Sequence, residues 1–273
     1  MGESKRLDLA VTQCGLAQSR EKAQALIMAG DIYVNGLRRT KAGFQVKEED
    51  LIEIKGDPNP YVSRGGLKLQ KALDSFKIDP SGLICLDVGA STGGFTDCLL
   101  SRGAAKVYAV DVGSGQLDWK LRNNPSVVCL ERTNFRYVTS DQIAEKIDFA
   151  GVDVSFISLR LMFPALFPLM EQGGQAVCLI KPQFEAGRSQ VGKKGVVREA
   201  DTHIQVIESV CLSAVENGFS AVNLDYSPIK GPQGNIEFLI QLAKADNPED
   251  CCENKIKIVV KDAHADLNRG DVI

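Results

Sequence analysis

Four apolar runs in this chain each stop at a charged side chain: Asp87 in LICLDVG, Asp111 in VYAVDVG, Asp153 in FAGVDVS and Lys181 in AVCLIKP. If these runs are parallel strands of an α/β sheet, their carboxyl ends face one crevice, which is where ligands gather in such sheets. Carboxylates there can hold hydroxyl groups. A lysine that closes an apolar strand and is followed at once by proline would sit partly desolvated, as a proton-transfer group requires. The structural alternative is a lysine whose stem snorkels to the surface.

The stretch Leu83–Leu100, LICLDVGASTGGFTDCLL, has the form of a strand, a glycine-rich turn and a helix. Gly89, Gly93 and Gly94 let the backbone approach a ligand closely. The dinucleotide fingerprint G-x-G-x-x-G needs a third glycine where Ser91 stands, so pyrophosphate is disfavoured and a nucleoside without phosphates, such as S-adenosylmethionine, fits better. A glycine-rich turn alone says little. Asp111 sharpens it by standing 22 residues beyond Gly89, near the roughly 20 expected of a carboxylate that holds ribose hydroxyls.

The elements that must position these groups follow from the rest of the pattern. The 273 residues carry a net charge of −3 and 44% hydrophobic residues, which excludes a disordered chain and gives no global support to nucleic-acid binding. Any such partner must be held by local basic patches. The most apolar run, 161–170, is about half the roughly 20 residues of a membrane span and holds two prolines. The N-terminus lacks a signal-peptide core, and the eight cysteines form no C-x-x-C pair, a cytoplasmic pattern of usage. No spacing suggests a metal site, and His203 and His264 are assigned no role. From residue 65 onward strands and helices alternate. VVCLE is a strand, 140–146 and 159–170 are helical, QAVCLIK is a strand, and 202–216 is a long helix. AVNLDYSPI and IEFLIQL are the final strand pair, and the tail from Ile256 is an amphipathic helix. The expected fold is α/β, a doubly wound Rossmann-like methyltransferase sheet over 65–273, with a small N-terminal α+β unit over 1–57 and a stiff linker over 58–64 around Asp57-Pro58-Asn59-Pro60.

The N-terminal unit has basic residues at its turns: Lys5, Arg6, Arg20, Lys22, Arg38, Arg39 and Lys41. With acidic residues interspersed, a solvated face would look the same. The succession SREKAxxLIxAGxIxVNG over 19–36, however, resembles the S4 RNA-binding domain, a helix–helix–strand module. That resemblance implies docking on structured RNA through backbone contacts.

The larger unit resembles a family too. Lys68 in SRGGLKL, Asp153 in GVDVSFISL, Lys181 in LIKPQFEAGR and Glu237 in SPIKGPQGNIEFL match the K-D-K-E tetrad of heat-shock-type RNA 2′-O-methyltransferases, which share the FtsJ-like fold. Combined with an S4 unit, the chain resembles the TlyA family of ribosomal RNA methyltransferases, often labelled haemolysins. The resemblance implies S-adenosylmethionine as cofactor, ribosomal subunits as partners and a cytidine 2′-hydroxyl as substrate. It implies that Lys181 accepts or relays a proton, Asp153 orients it, and Lys68 and Glu237 position the ribose and balance charge. Whether burial and Lys68 outweigh Asp153 and Glu237 in setting the amine's proton affinity stays open. The implied cofactor contacts are Asp87, Gly89, Ala90, Ser91, Thr92, Gly93, Gly94, Phe95 and Asp111. Asn134, with Phe135 packed nearby, is either an adenine-side contact or a local cap. Arg64 and Arg188, in the two lysine motifs, join the basic residues above as RNA contacts; Lys193 and Lys194 are either further contacts or part of a solvated loop. Where the family carries an Arg-x-Trp-Val linker this chain has Asn59-Pro60-Tyr61-Val62, so coupling through the linker is in doubt. Two alternatives remain: a cytolysin, or a non-catalytic RNA-binding protein on a methyltransferase scaffold.

Overall fold

The structure, a computed structural model, describes residues 4–17, 19–54, 59–192 and 194–268. Its compact units are residues 1–60 and 61–273. Asp57 and Pro58 of the expected linker, and Lys193, lie outside the described residues.

In the smaller unit, helices Leu7–Gln13 and Arg20–Ala29 pack on a three-stranded sheet of Ile32–Val34, Leu37–Arg38 and Ile52–Ile54. Ser19 Oγ accepts the Lys22 N–H (3.3 Å) and so caps the second helix, which Gly30 ends at φ 82°. Asn35 and Gly36, both at positive φ, make the tight turn between the first two strands. Leu7, Val11, Ile27, Ile32, Val34 and Val46 form the core. One charge is buried among them. Asp8 accepts from Arg6 (3.1 Å), Arg20 (2.9 Å), Gln24 (2.9 Å) and the Leu9 N–H (3.0 Å).

The larger unit is built on a seven-stranded sheet. Its strands are β1 (Ile84–Val88), β2 (Lys106–Val110), β3 (Val127–Leu130), β4 (Ile147–Val152), β5 (Met170–Ile180), β6 (Phe219–Tyr226) and β7 (Phe238–Lys244). They lie in the order β6-β7-β5-β4-β1-β2-β3. The β5-β4-β1-β2-β3 run is parallel, and β7 is antiparallel to both β5 and β6. Alternate residues of each strand feed two cores, as expected of strands covered on both faces. Helices α1 (Gly65–Phe76) and α2 (Gly94–Ser101) cover Cys85, Val107, Phe149 and Val177. Helices α3 (Ala200–Glu216) and α4 (Ile256–Asn268) cover the opposite face with Leu86, Val110, Val152, Cys178 and Ile240. Among the described residues no helix is long and apolar enough to cross a membrane.

Two expected helices are absent. Residues 140–146 make a single turn, closed by Gln142 and Ile143 N–H groups on the Thr139 carbonyl. Only Ile143 is buried there, and Glu145 is drawn away to Lys106 and Tyr108, so no apolar stripe supports a helix. Residues 159–170 hold a 3₁₀ turn (Leu159–Leu161) and one helical turn (Phe163–Leu166) before β5 begins at Met170. Pro164 is tolerated in a first turn, but Pro168 has no N–H to carry the helix on. Tyr61 and Val62, placed in the linker by sequence, pack on the larger unit. The Tyr61 ring covers Gly66, and the Val62 N–H bonds to Asp97 Oδ2 (2.8 Å).

The hydrogen bond from Arg6, reinforced by Gln24 and Arg20, holds the Asp8 carboxyl well below the usual carboxylate range. A depressed acid contributes stability above its unfolded value, near 3.9, and loses it as pH falls toward the folded value. Asp8→Ala should weaken the smaller unit by about 1.5–3 kcal/mol and abolish this acid-side loss. Hydrogen exchange of amides 7–29 in the whole chain, followed from neutral to acid pH, reads both effects.

Candidate active site

The turn after β1 is shaped by two close approaches and one left-handed residue. Gly89 has φ 83°, and a Cβ there would lie 2.5 Å from the Asp153 carbonyl oxygen at the end of β4. At Gly94, the first residue of α2, a Cβ would lie 2.9 Å from the Gly66 nitrogen of α1. Ser91, in the place of the missing glycine, still adopts φ 49°. Its N–H donates to Asp111 Oδ2 (2.8 Å), while Asp111 Oδ1 accepts the Gly113 N–H (2.7 Å). A short polar side chain tolerates this left-handed conformation, and Asp111 pins it.

Asp87, inside β1, is buried. Its Oδ2 accepts the Thr96 N–H (2.9 Å) and Thr96 Oγ1–H (2.6 Å) from the first turn of α2. Its Oδ1 is buried without a partner. Burial pushes this carboxyl up to about 7, against the pull of the Thr96 bonds and with the charges of Asp153 and Asp111 adding to the rise.

The sheet order brings the other charges to the same edge. Asp153 follows β4 and Lys181 follows β5, its parallel neighbour. Because β7 runs antiparallel to β5, with Phe238 opposite Ile180, its preceding residue Glu237 lies beside Lys181 and not at the far end of the sheet. Lys68 is on the buried face of α1 with Leu69, Ala72 and Leu73. Lys68 Nζ donates to Glu237 Oε2 (2.6 Å), and Lys181 Nζ lies 2.6 Å from Asp153 Oδ1 and donates to Ser155 Oγ (2.8 Å). Lys68 and Lys181 each retain 8% exposure and Glu237 1%, a burial that charged side chains reach only in pairs. Both pairs line one cavity of about 340 Å³ together with Asp87, Gly89–Thr92, Gly94, Phe95, Arg64 and Ser155. The surface alternative for Lys181 is thereby excluded.

Several expected residues stand elsewhere. Gly93 begins α2 as its cap and packs against Leu117 and Leu121, and Asp111 stands behind the turn; neither lines the cavity. Asn134 caps a 3₁₀ turn by accepting the Arg136 N–H (3.2 Å), and Phe135 is buried in the core. Arg188 and Lys194 are exposed and off the cavity. In the smaller unit Arg6 and Arg20 are tied to Asp8, Arg38 donates to the Gly30 carbonyl (2.9 Å), and the Arg39 guanidinium lies 4.3 Å from the Phe44 ring centre. Lys5 bonds to Gln13, and Lys22 and Lys41 are exposed. The cavity is also lined by Ser63, Gly65, Ser155, Ile229, Lys230 and Pro232, to which the sequence assigned no role. Ser155 lies in the GVDVSFISL stretch that carries Asp153, but nothing in its residue type marks a role. Phe156, next to it, is 87% exposed at φ 64°, its ring 5.1 Å from that of Phe184. Among the described residues no three His, Cys, Asp or Glu side chains gather as a metal site.

The FtsJ-like methyltransferase family model matches residues 61–244, two thirds of the chain. The chain belongs to this family. The S4 domain model matches residues 5–52. The methyltransferase is 46% identical over 269 residues to YqxC of Bacillus subtilis (strain 168), described as a candidate rRNA methyltransferase, covering 97% of this chain and 96% of that one. It is 44% identical over 243 residues to the 16S/23S rRNA (cytidine-2′-O)-methyltransferase TlyA of Mycobacterium tuberculosis (strain ATCC 25618 / H37Rv), covering 89% and 91%. A solved structure from Streptococcus thermophilus, labelled a candidate hemolysin, superposes with a TM-score of 0.81 at 46% identity, over 99% of both chains.

Between the unfolded value near 4 and the folded value of about 7, native Asp87 keeps a proton that the unfolded chain has released, so this group makes stability fall as pH rises through that window. Asp87→Asn is expected to flatten the pH dependence of the thermal midpoint there; an undiminished slope would contradict the assignment.

Proposed function

We propose that this protein transfers a methyl group from S-adenosylmethionine to a cytidine 2′-hydroxyl of ribosomal RNA. The observation that carries the reading is the convergence of Lys68, Asp153, Lys181 and Glu237, as two ion pairs, on the cavity beside the glycine turn. The name of the M. tuberculosis relative points to the same substrate, and that of the B. subtilis relative to ribosomal RNA.

The cavity suits the cofactor. The orphaned Asp87 oxygen offers an acceptor to its ammonium group, and Gly89–Thr92, Gly94 and Phe95 would cradle the rest, with Asp111 fixing the turn from behind. Asn134 and Phe135 are left to capping and packing. When bound, the sulfonium supplies an already activated methyl. The chain's task is then to hold the ribose and provide a route for the hydroxyl proton. Lys181, paired with Asp153, would face the 2′-oxygen and accept or relay that proton. The neutral Lys68–Glu237 pair would position the ribose without adding net charge. Phe156, exposed beside this edge in a strained conformation, would offer a stacking face to the base. Exposed Arg64, Arg188 and Lys194, and the S4 unit's Arg6, Arg20, Lys22, Arg38, Arg39 and Lys41, would bear on RNA phosphates. A ribosomal substrate puts the protein in the cytoplasm.

Incubation with labelled cofactor and each unmodified ribosomal subunit, followed by mapping of the label, tests the reading: label on a cytidine ribose is expected, and none on either subunit would refute it. Lys181→Ala should lower kcat by about a hundredfold or more with cofactor affinity held; a loss of only a few-fold would remove Lys181 from the chemistry. Phe156→Ala should raise KM for RNA by about tenfold, as measured on the same substrate.

A further inference from the structure

We propose that Ser155 is a positioning residue for Lys181, its hydroxyl fixing the direction in which the amine faces the cavity. This rests on the methyl-transfer reading above.

Lys181 Nζ has two kinds of contact. Its ion pair with Asp153 is close, 2.6 Å, yet Asp153 Oδ1 is not engaged in an aligned hydrogen bond. Coulomb attraction sets a distance and is weakly directional. The bond from Nζ to Ser155 Oγ (2.8 Å) is the aligned one. Asp153 therefore holds the charge, and Ser155 aims it.

The loop that presents Ser155 is built to stay in place. Phe156 at φ 64° is strained for a bulky residue, and such a conformation persists only where its surroundings hold it. Those surroundings are the chain just after Lys181. Phe184 meets the Phe156 ring, and its own N–H bonds to the Lys181 carbonyl (2.9 Å). Glu185, its side chain 3% exposed, accepts Ser158 Oγ–H and the Leu159 N–H, both at 2.6 Å. The loop carrying the acceptor is thus stapled to the segment carrying the donor. Ser155 itself is exposed and lines the cavity, so removing its hydroxyl leaves the cores untouched.

The test uses the whole chain in two arms. In the first, Ser155→Ala should lower kcat by about tenfold while the cofactor Kd and the KM for RNA stay within about twofold. Removing an acceptor from an ammonium disfavours its charged form, so the rising limb of the kcat–pH profile should move to lower pH. Ser155→Thr, which keeps the hydroxyl, should restore both. In the second arm, which needs no methyl transfer, trace acetic anhydride acylates free amines. Lys181 should react about threefold faster in Ser155→Ala than in the wild type, relative to exposed Lys41. Unchanged kcat and labelling would overturn the proposal, as would equal losses in the Ala and Thr variants. A fall in kcat with unaltered labelling would also overturn it, since Ser155 would then act on the substrate directly. Absence of transfer by the wild type would refute the proposed function alone, and the labelling arm would still decide the role of Ser155.

Discussion

A lysine buried in a folded chain must be given its counter-charge, and the methyltransferase unit meets that demand twice in one cavity. Lys68 and Glu237 are 169 residues apart and 2.6 Å apart in space; Lys181 and Asp153 are joined across neighbouring strand ends. Neither pair can form unless the sheet has the order it has. Parallel β4 and β5 put Asp153 and Lys181 at one edge. The reversal of β7 turns Glu237, which precedes its strand, back to that same edge. The antiparallel strand is therefore a requirement of the site as much as a way to finish the sheet.

Such pairs add little to stability, because desolvation offsets most of the attraction. Their effect is on arrangement. The two pairs themselves add no net charge to the cavity, and each of their side chains has one place to be. Asp87 is the exception, buried with one oxygen orphaned. An unmet acceptor at the floor of a cavity is costly in the free protein and becomes useful once a donor arrives. The smaller unit obeys the same rule on its own scale, where buried Asp8 gathers Arg6, Arg20 and Gln24.

How far the residues alone revealed this depends on the range of the interactions involved. The β1–turn–α2 unit was readable because its signals are local: an apolar run, glycines at fixed spacing, a helix. The charged strand ends were readable for the same reason, and the convergence of Asp87, Asp153 and Lys181 followed from the rule for parallel sheets, while Asp111 holds the turn from behind. Lys68 and Glu237 were named only through family resemblance, since no local pattern marks a lysine on a helix face as the partner of a glutamate 169 residues away. The helix expected at 140–146 is missing because one buried residue, Ile143, cannot anchor it and Glu145 is drawn to Lys106, and the one expected over the apolar run 159–170 is cut short at Pro168. Asn134 and Phe135 sat near a strand end in sequence, yet the cap and the core took them. Ser155 and Phe156 stand inside the GVDVSFISL stretch that carries Asp153, yet the sequence assigns them no role: a serine has no chemistry-bearing pattern of its own, and the exposure of Phe156 at φ 64° is a feature of the folded chain.

The central claim is that residues scattered over the chain act as one unit at one cavity. A double-mutant cycle on kcat with Lys181→Ala and Glu237→Gln tests it most directly, using the unmodified ribosomal subunit as substrate. Groups that work together lose most of their effect with the first removal. The account predicts a double variant no more than about tenfold slower than the slower single variant. Losses that simply multiply would mean that the two residues act independently, and would contradict it.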